Sequence, residues 1–250
     1  MPGIDAVLFD LDETLLDDDA SMRRALAETC SELEGEYGLP AERLARVYLE
    51  FAPRAWRGLG SVPTAGGARP ADGRAIRAWM WGEVLGLLGV AAPAAAERAA
   101  GLYAAARRRS YAAFDDALPV LERLSAEHRL GVVTNGASDT QRDKLGALGL
   151  GRFFGAVVIS GEAGVGKPEP AIFRLALEAL GVAPARAAHV GDSLESDVAG
   201  ASRAGMHAVW LSRAGDAPPA GGPRPGASIR TLAELPGVLR RLAAGASPAP

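Results

Sequence analysis

Two aspartates one residue apart, Asp10 and Asp12, follow directly on the apolar run Ala6-Val7-Leu8-Phe9. An apolar run that ends abruptly in acid is how a buried parallel strand delivers carboxylates to the rim of a sheet. If the backbone stays extended past Phe9, then Asp10, Asp12 and Thr14 share a face, with successive members roughly 6 to 7 Å apart at Cα, two strand rises. Carboxylates so close repel each other. A divalent cation bound through oxygen relieves the repulsion, as does a division of roles in which one carboxyl is ionised and the other protonated. The same residues also fit a strand followed by a polar turn with Asp as a helix cap, so other parts of the chain must decide.

Three more apolar runs end in polar clusters: Thr134-Asn135 after Gly131-Val132-Val133, Ser160-Gly161 after Val157-Val158-Ile159, and Gly191-Asp192 after His189-Val190. In open parallel α/β sheets ligands bind outside the carboxyl ends of the strands, so the four clusters converge on one place. Thr134-Asn135-Gly136 could be a hairpin turn. Ser138-x-x-Gln141 behind it spells a capping box, however, and a strand-to-helix turn would aim the Thr134 hydroxyl and its amides at an anion. Gly161 to Lys167 matches the Gly-x4-Gly-Lys part of a nucleotide-binding P-loop, but Pro168, with neither hydroxyl nor N–H, stands where that motif needs Ser or Thr.

Lys167 and Lys144 are the only lysines in a chain whose other basic side chains are arginines. A compact ammonium kept among planar forks implies a use for a point charge, and Pro168-Glu169-Pro170 fixes how Lys167 enters the next helix. Gly191-Asp192-x4-Asp197 sets one acid at a strand end and another in a first helical turn, where the helix dipole also favours Glu195 and Asp197. His189 lies in an expected buried strand and is taken as core. His128 and His207 are taken as non-catalytic.

The elements that must position these groups follow from periodicity. Helix and strand alternate from Asp116 onward, the pattern of an α/β parallel sheet, with strands expected at 130–133, 156–159, 187–190, 208–211 and 228–230. Helices are expected at 117–127, 138–148, 170–180, 195–204 and 232–243. Between Asp17 and Ala112 strand signals vanish and the apolar residues recur at helical spacing, interrupted by a Gly/Pro-rich loop from Gly58 to Arg74. The expected division is a core of 1–16 and 113–245, an all-helical cap inserted at 17–112, and a disordered tail at 246–250.

The net charge of -3 gives no reason to expect nucleic acid or an anionic membrane as partner. A single cysteine, Cys30, excludes an internal disulfide and suits a reducing compartment. With no basic segment leading into an apolar run and no uninterrupted apolar stretch of about 18 residues, the expected location is cytoplasmic.

Taken together, Asp10-Leu11-Asp12-Glu13-Thr14, Thr134-Asn135, Lys167-Pro168 and Gly191-Asp192-x4-Asp197 resemble the four ordered motifs of the haloacid dehalogenase superfamily. The resemblance covers most of the chain outside the insertion. It implies a Rossmann-like core, a helical cap inserted after the first motif, and a magnesium-dependent phosphatase acting on a small phosphate ester such as a phosphosugar or nucleoside monophosphate. Asp10 would be the nucleophile that forms an aspartyl-phosphate, and Asp12 the acid for the leaving group and then the base for water. Thr134, with the backbone at Asn135, would bind phosphoryl oxygens, and Lys167 would neutralise the charge they share with the nucleophile. Magnesium would be held by Asp10, the backbone carbonyl of Asp12 and Asp192, with Asp197 supporting these ligands from behind.

The superfamily also holds dehalogenases, which lack the second aspartate because no leaving alkoxide needs a proton. Its mutases generally place glycine where Glu13 stands. The run Thr134-Asn135-Gly136 through Gln141-Arg142-Lys144-Leu145 to Phe153-Phe154 is similar to the N-acylneuraminate-9-phosphatase and pyrimidine nucleotidase branch. Candidates to meet the leaving group are Arg54, Trp56, Arg57, Arg74, Arg77, Trp79 and Trp81, although the tryptophans are better suited to a cap core. A P-loop protein using Gly161 to Lys167 is the competing class, and a phosphomutase or dehalogenase is the competing activity within the fold.

Overall fold

The computed structural model describes residues 3–58 and 72–244, the side chains of 53–58 excepted. The chain falls into two compact units, one of Met1–Asp18 with Ala112–Pro250 and one of Asp19–Tyr111. Strand β1 (Ala6–Phe9) is buried at every position, so it needs no polar alternation. Beyond it the expectation of an extended backbone is corrected. The chain turns at once, with the amides of Leu15 and Leu16 both donating to the carbonyl of Leu11. Glu13 takes a φ of 57°, a left-handed conformation uncommon for a residue with a side chain. Thr14 is therefore fully buried instead of sharing a front with Asp10 and Asp12.

From this turn the chain leaves through a short stem. Asp17 N donates to Ala112 O at 3.0 Å and Phe114 N to Leu15 O at 3.0 Å, so the outgoing and returning segments are hydrogen-bonded to each other. The unit between is helical among the described residues: α1 (Asp18–Tyr37), α2 (Ala41–Gly58), α3 (Gly73–Leu87) and α4 (Pro93–Ser110). Helix α1 buries Ala25, Leu26, Thr29, Cys30 and Leu33, one stripe at helical spacing. Asp72 caps α3 by accepting the Ala75 amide at 2.8 Å. Trp81 is fully buried and packs on Tyr48, ring centroids 5.0 Å apart, which makes it a core residue of this unit. Trp79 is half-buried against Phe51, and Arg74 is exposed beside Glu97 at 3.6 Å. The side chains of Arg54, Trp56 and Arg57 lie outside the described residues, as do most of the expected loop at 58–74 and all of the expected tail at 246–250.

The returning chain builds α5 (Ala117–Ser125), β2 (Arg129–Thr134), α6 (Ser138–Ala147), β3 (Ala156–Ile159), the single turn α7 (Ser160–Ala163) and α8 (Pro170–Leu180). It continues with β4 (Ala187–Gly191), a π-helical turn at Leu194–Val198 running into α9 (Ala199–Arg203), β5 (His207–Leu211), β6 (Ala227–Ile229) and α10 (Leu235–Ala243). The strands form one parallel sheet in the order β3-β2-β1-β4-β5-β6, a Rossmann-like arrangement that reverses direction between β1 and β4. Leu8 pairs with Gly131 of β2 on one side and His189 of β4 on the other. Pro170 opens α8 and Gly181, at φ 65°, ends it, as their conformational preferences favour. Its residues Ile172, Phe173, Ala176 and Leu177 pack with Leu8, Val133 and Trp210 in one apolar cluster.

No described helix is long and apolar enough to cross a membrane. Because Leu8 is fully enclosed in the central strand, Leu8→Ala should cost about 2–5 kcal/mol. Urea unfolding of the purified variant measures this, and an unshifted midpoint would contradict the placement of β1 at the centre of the core.

Candidate active site

Asp10, at the end of β1, is only 8% exposed, and its carboxylate is the first of the site's groups. It accepts the Lys167 ammonium at 2.6 Å, and the same ammonium reaches Asp197 at 2.7 Å. Asp197 is held by further donors. Its Oδ1 also faces Nε2 of His189 at 2.8 Å, and its Oδ2 accepts the Ser193 amide at 3.0 Å. The carboxyl group lies so close to Gly191 that a Cβ there would come within 2.2 Å of the Asp197 Cγ. Asn135 grips the main chain of Lys167 from both sides, its Oδ1 accepting the Lys167 amide at 2.8 Å and its Nδ2 donating to the Lys167 carbonyl at 2.9 Å. Both ends of the Asn135 side chain are thus occupied in placing the lysine.

Asp192 follows β4, and its carbonyl is anchored by Nε1 of Trp210 at 2.7 Å. One oxygen each of Asp10, Asp192 and Asp197 lie within 4.8 Å of one another. Burial pushes Asp10 up to about 8, with Asp197 and Asp12 adding to it against the pull of Lys167. Burial also lifts Asp192 to about 6. For Asp197 burial works in the same direction, but Lys167 and His189 outweigh it and hold the carboxyl below its ordinary range. Burial would lower Lys167, yet Asp10 and Asp197 prevail and keep it charged. The opposite shifts of the two acids follow from geometry: one ammonium serves both, and Asp197 has the additional donors. Burial lowers His189, so its ring is neutral and directs Nε2–H at Asp197.

Two of these acids share one ammonium and the third, Asp192, adds a further carboxyl oxygen beside them, and an all-oxygen donor set suits a hard divalent cation. Both oxygens of Asp197 already have protein donors, which leaves Asp10 and Asp192 as the carboxylates able to hold such an ion.

Asp12 has a different environment. Lys144 donates to its Oδ1 at 2.7 Å and Gln141 to its Oδ2 at 3.1 Å. Gln141 Nε2 also donates to the hydroxyl of Thr134, which ends β2, at 2.7 Å. The capping box expected at Ser138 and Gln141 is therefore corrected: α6 has no side-chain cap bond, and Ser138 turns to Glu162 while Gln141 turns to Asp12 and Thr134. In the segment 161–167 the amide of Gly161 donates to Gly136 O, that of Gly164 to Ser160 O and that of Lys167 to Asn135. Amides so engaged cannot cradle phosphates as a P-loop does.

The sequence reading missed Gln141, Lys144, His189 and Trp210 as supports of this site. For Lys144 a signal existed, since the scarcity of lysine that singled out Lys167 applies to it equally.

A family model described as haloacid dehalogenase-like hydrolase matches residues 4–205. The chain is 38% identical over 228 residues to the phosphoserine phosphatase of Thermus thermophilus, covering 83% of this chain and 88% of that one. It is 31% identical over 243 residues to the N-acylneuraminate-9-phosphatase of Mus musculus, covering 95% and 94%. Among solved structures, a 2-haloacid dehalogenase from Pseudomonas syringae superposes with a TM-score of 0.69 at 30% identity, covering 96% of this chain and all of that one, 100%.

The contact between Asp197 and Gly191 yields a direct test. Gly191→Ala should force the carboxyl aside and cost about 1–3 kcal/mol, read as a lower thermal midpoint. A variant as stable as the parent would show that Asp197 does not sit against the β4 backbone.

Proposed function

The chain belongs to the haloacid dehalogenase-like hydrolases, and from that premise we propose that it is a magnesium-dependent phosphatase acting on a small phosphate monoester. The observation that carries the proposal is the unlike setting of the two aspartates. Asp10 lies against the buried Lys167 and beside Asp192, whereas Asp12 is held by Lys144 and by a Gln141 amide that it shares with Thr134. Two carboxylates with separate environments suit separate roles.

Asp10 attacks phosphorus, and the bond to the leaving oxygen breaks as Asp12 gives that oxygen a proton. Asp12 then takes a proton from the water that attacks the aspartyl-phosphate, releasing inorganic phosphate and restoring Asp10. Lys167 neutralises charge shared by Asp10 and the phosphoryl oxygens, and the Thr134 hydroxyl and the Asn135 backbone bind those oxygens. Asp10, Asp192 and the backbone carbonyl of Asp12 would hold magnesium, with Asp197 fixing Lys167 behind them. When bound, the ion screens an anionic nucleophile from an anionic phosphate.

The helical unit Asp19–Tyr111 serves in this proposal as the cap that selects the leaving group. Phosphosugars and nucleoside monophosphates are the esters to try first, and the names of the two relatives add phosphoserine and N-acylneuraminate 9-phosphate. Dehalogenation is disfavoured despite the fold shared with a 2-haloacid dehalogenase, because a halide leaving group has no use for the proton of Asp12. A cytoplasmic setting fits the single, buried Cys30.

Purified protein should hydrolyse p-nitrophenyl phosphate with magnesium and stop on addition of EDTA. Asp10→Asn should lower kcat by a factor on the order of a thousand or more. Turnover by that variant near the parental rate would exclude Asp10 as the nucleophile, and tight ATP binding lost only in Lys167→Ala would favour the P-loop class instead.

A further inference from the structure

We infer that Gln141 and Lys144, four and seven residues beyond the Ala137 that precedes α6, are positioning residues that fix Asp12 and Thr134 for proton transfer to the leaving group; this rests on the phosphatase function proposed above. Gln141 turns the NH2 end of its amide to Asp12, with Nε2 3.1 Å from Oδ2. The two hydrogens of that one nitrogen go to Asp12 Oδ2 and to Thr134 Oγ1. Because the Thr134 oxygen accepts from Gln141, the hydrogen of its own hydroxyl is directed away from Gln141, and no acceptor takes it among the described residues. That leaves it to a phosphoryl oxygen.

Lys144 completes the clamp from the other side. Its side chain is 5% exposed, and its ammonium lies 2.7 Å from Asp12 Oδ1 and 2.9 Å from Asp18 Oδ1. The Asp12 side chain is itself 29% exposed, so a partly open acid is steadied by donors that are buried. A carboxyl group turns freely about two side-chain bonds, and one donor on each oxygen removes both rotations. Misplacement of about 1 Å at a reacting group is enough to cost a large factor in rate. Gln141 therefore couples the two jobs, since one amide sets both the acid and the hydroxyl that binds the phosphoryl group.

If these side chains only stabilise the fold, their loss will slow all substrates alike. If they position the acid, the loss will grow with the need for a proton. Dinitrophenyl, p-nitrophenyl and phenyl phosphate are of similar size and differ in the basicity of the leaving oxygen, and kcat/KM reports the step that breaks the first bond. For Lys144→Met we expect a loss of less than about threefold on dinitrophenyl phosphate and more than about tenfold on phenyl phosphate, given that acid assistance is worth 10²–10⁴-fold where it is needed. Gln141→Leu should show the same rise from dinitrophenyl to phenyl phosphate, on top of a loss common to all three esters from release of the Thr134 hydroxyl, and that rise carries the test alone if Lys144→Met does not fold. Added to Asp12→Asn, Lys144→Met should have almost no further effect on phenyl phosphate, and Gln141→Leu should add only the loss it shows on dinitrophenyl phosphate. A uniform loss across the three esters, no loss at all, or losses that multiply in full with Asp12→Asn would each overturn the inference while leaving the phosphatase intact. Parental protein inert toward all three esters with magnesium would instead overturn the phosphatase proposal, and this inference with it.

Discussion

One ammonium lodged between two enclosed carboxylates governs the arrangement around it. Taking these three charges out of water is costly, and the cost is recovered only if every remaining donor and acceptor is satisfied in good geometry. The neighbouring residues are accordingly specific. Asn135 holds the Lys167 peptide on both sides, His189 and the Ser193 amide complete the coordination of Asp197, and the Asp197 carboxyl occupies space that only a glycine at 191 leaves open. The ends of β1 and β2 and the π-helical turn after β4 are tied together through this one lysine, a task for a compact point charge that none of the chain's many arginines could fill in the same space.

The sheet makes such an arrangement possible by putting β1 between β2 and β4 in a parallel order that reverses beside it. Residues that end adjacent strands come within side-chain reach without any segment having to wander. The sharp turn after Phe9 then separates the two aspartates. Asp10 is directed to Lys167 and Asp12 to Gln141 and Lys144, so neighbours in sequence face different partners. A regular strand would have left them alike. The left-handed Glu13 belongs to the same turn, with its amide hydrogen-bonded to Leu16 O at 2.8 Å.

Much of this was legible in the sequence, and for identifiable reasons. Apolar runs ending in polar clusters mark buried parallel strands, and the core strands lie within a residue or so of their expected positions. Pro170 and Gly181 bracket their helix because each favours one conformation strongly. The proximity of Asp10, Lys167, Asp192 and Asp197 followed from strand ends that had to converge. What stayed hidden depended on long-range partners. Ser138 and Gln141 fit a local capping pattern, and only tertiary structure offers them Glu162 in one case and Asp12 with Thr134 in the other. His189 is buried as expected of a core residue, yet it also bonds Asp197, and no spacing rule separates those two situations. The turn at Glu13 was missed because glutamate gives no hint of a positive φ.

The stem at Leu15–Asp17 and 112–114 has a consequence for how the chain can vary. Its two strands are already hydrogen-bonded, so the ends of the intervening segment are held together whatever lies between them. The entropy of closing a loop grows only logarithmically with its length, and here the closure is anchored at the stem. Helices can be lengthened, exchanged or remodelled beyond it at little thermodynamic cost to the sheet. The carboxylates and the lysine at the rim of the sheet and the segment free to diversify are thus inherited on one polypeptide but under separate constraints, so the second can change while the first is kept.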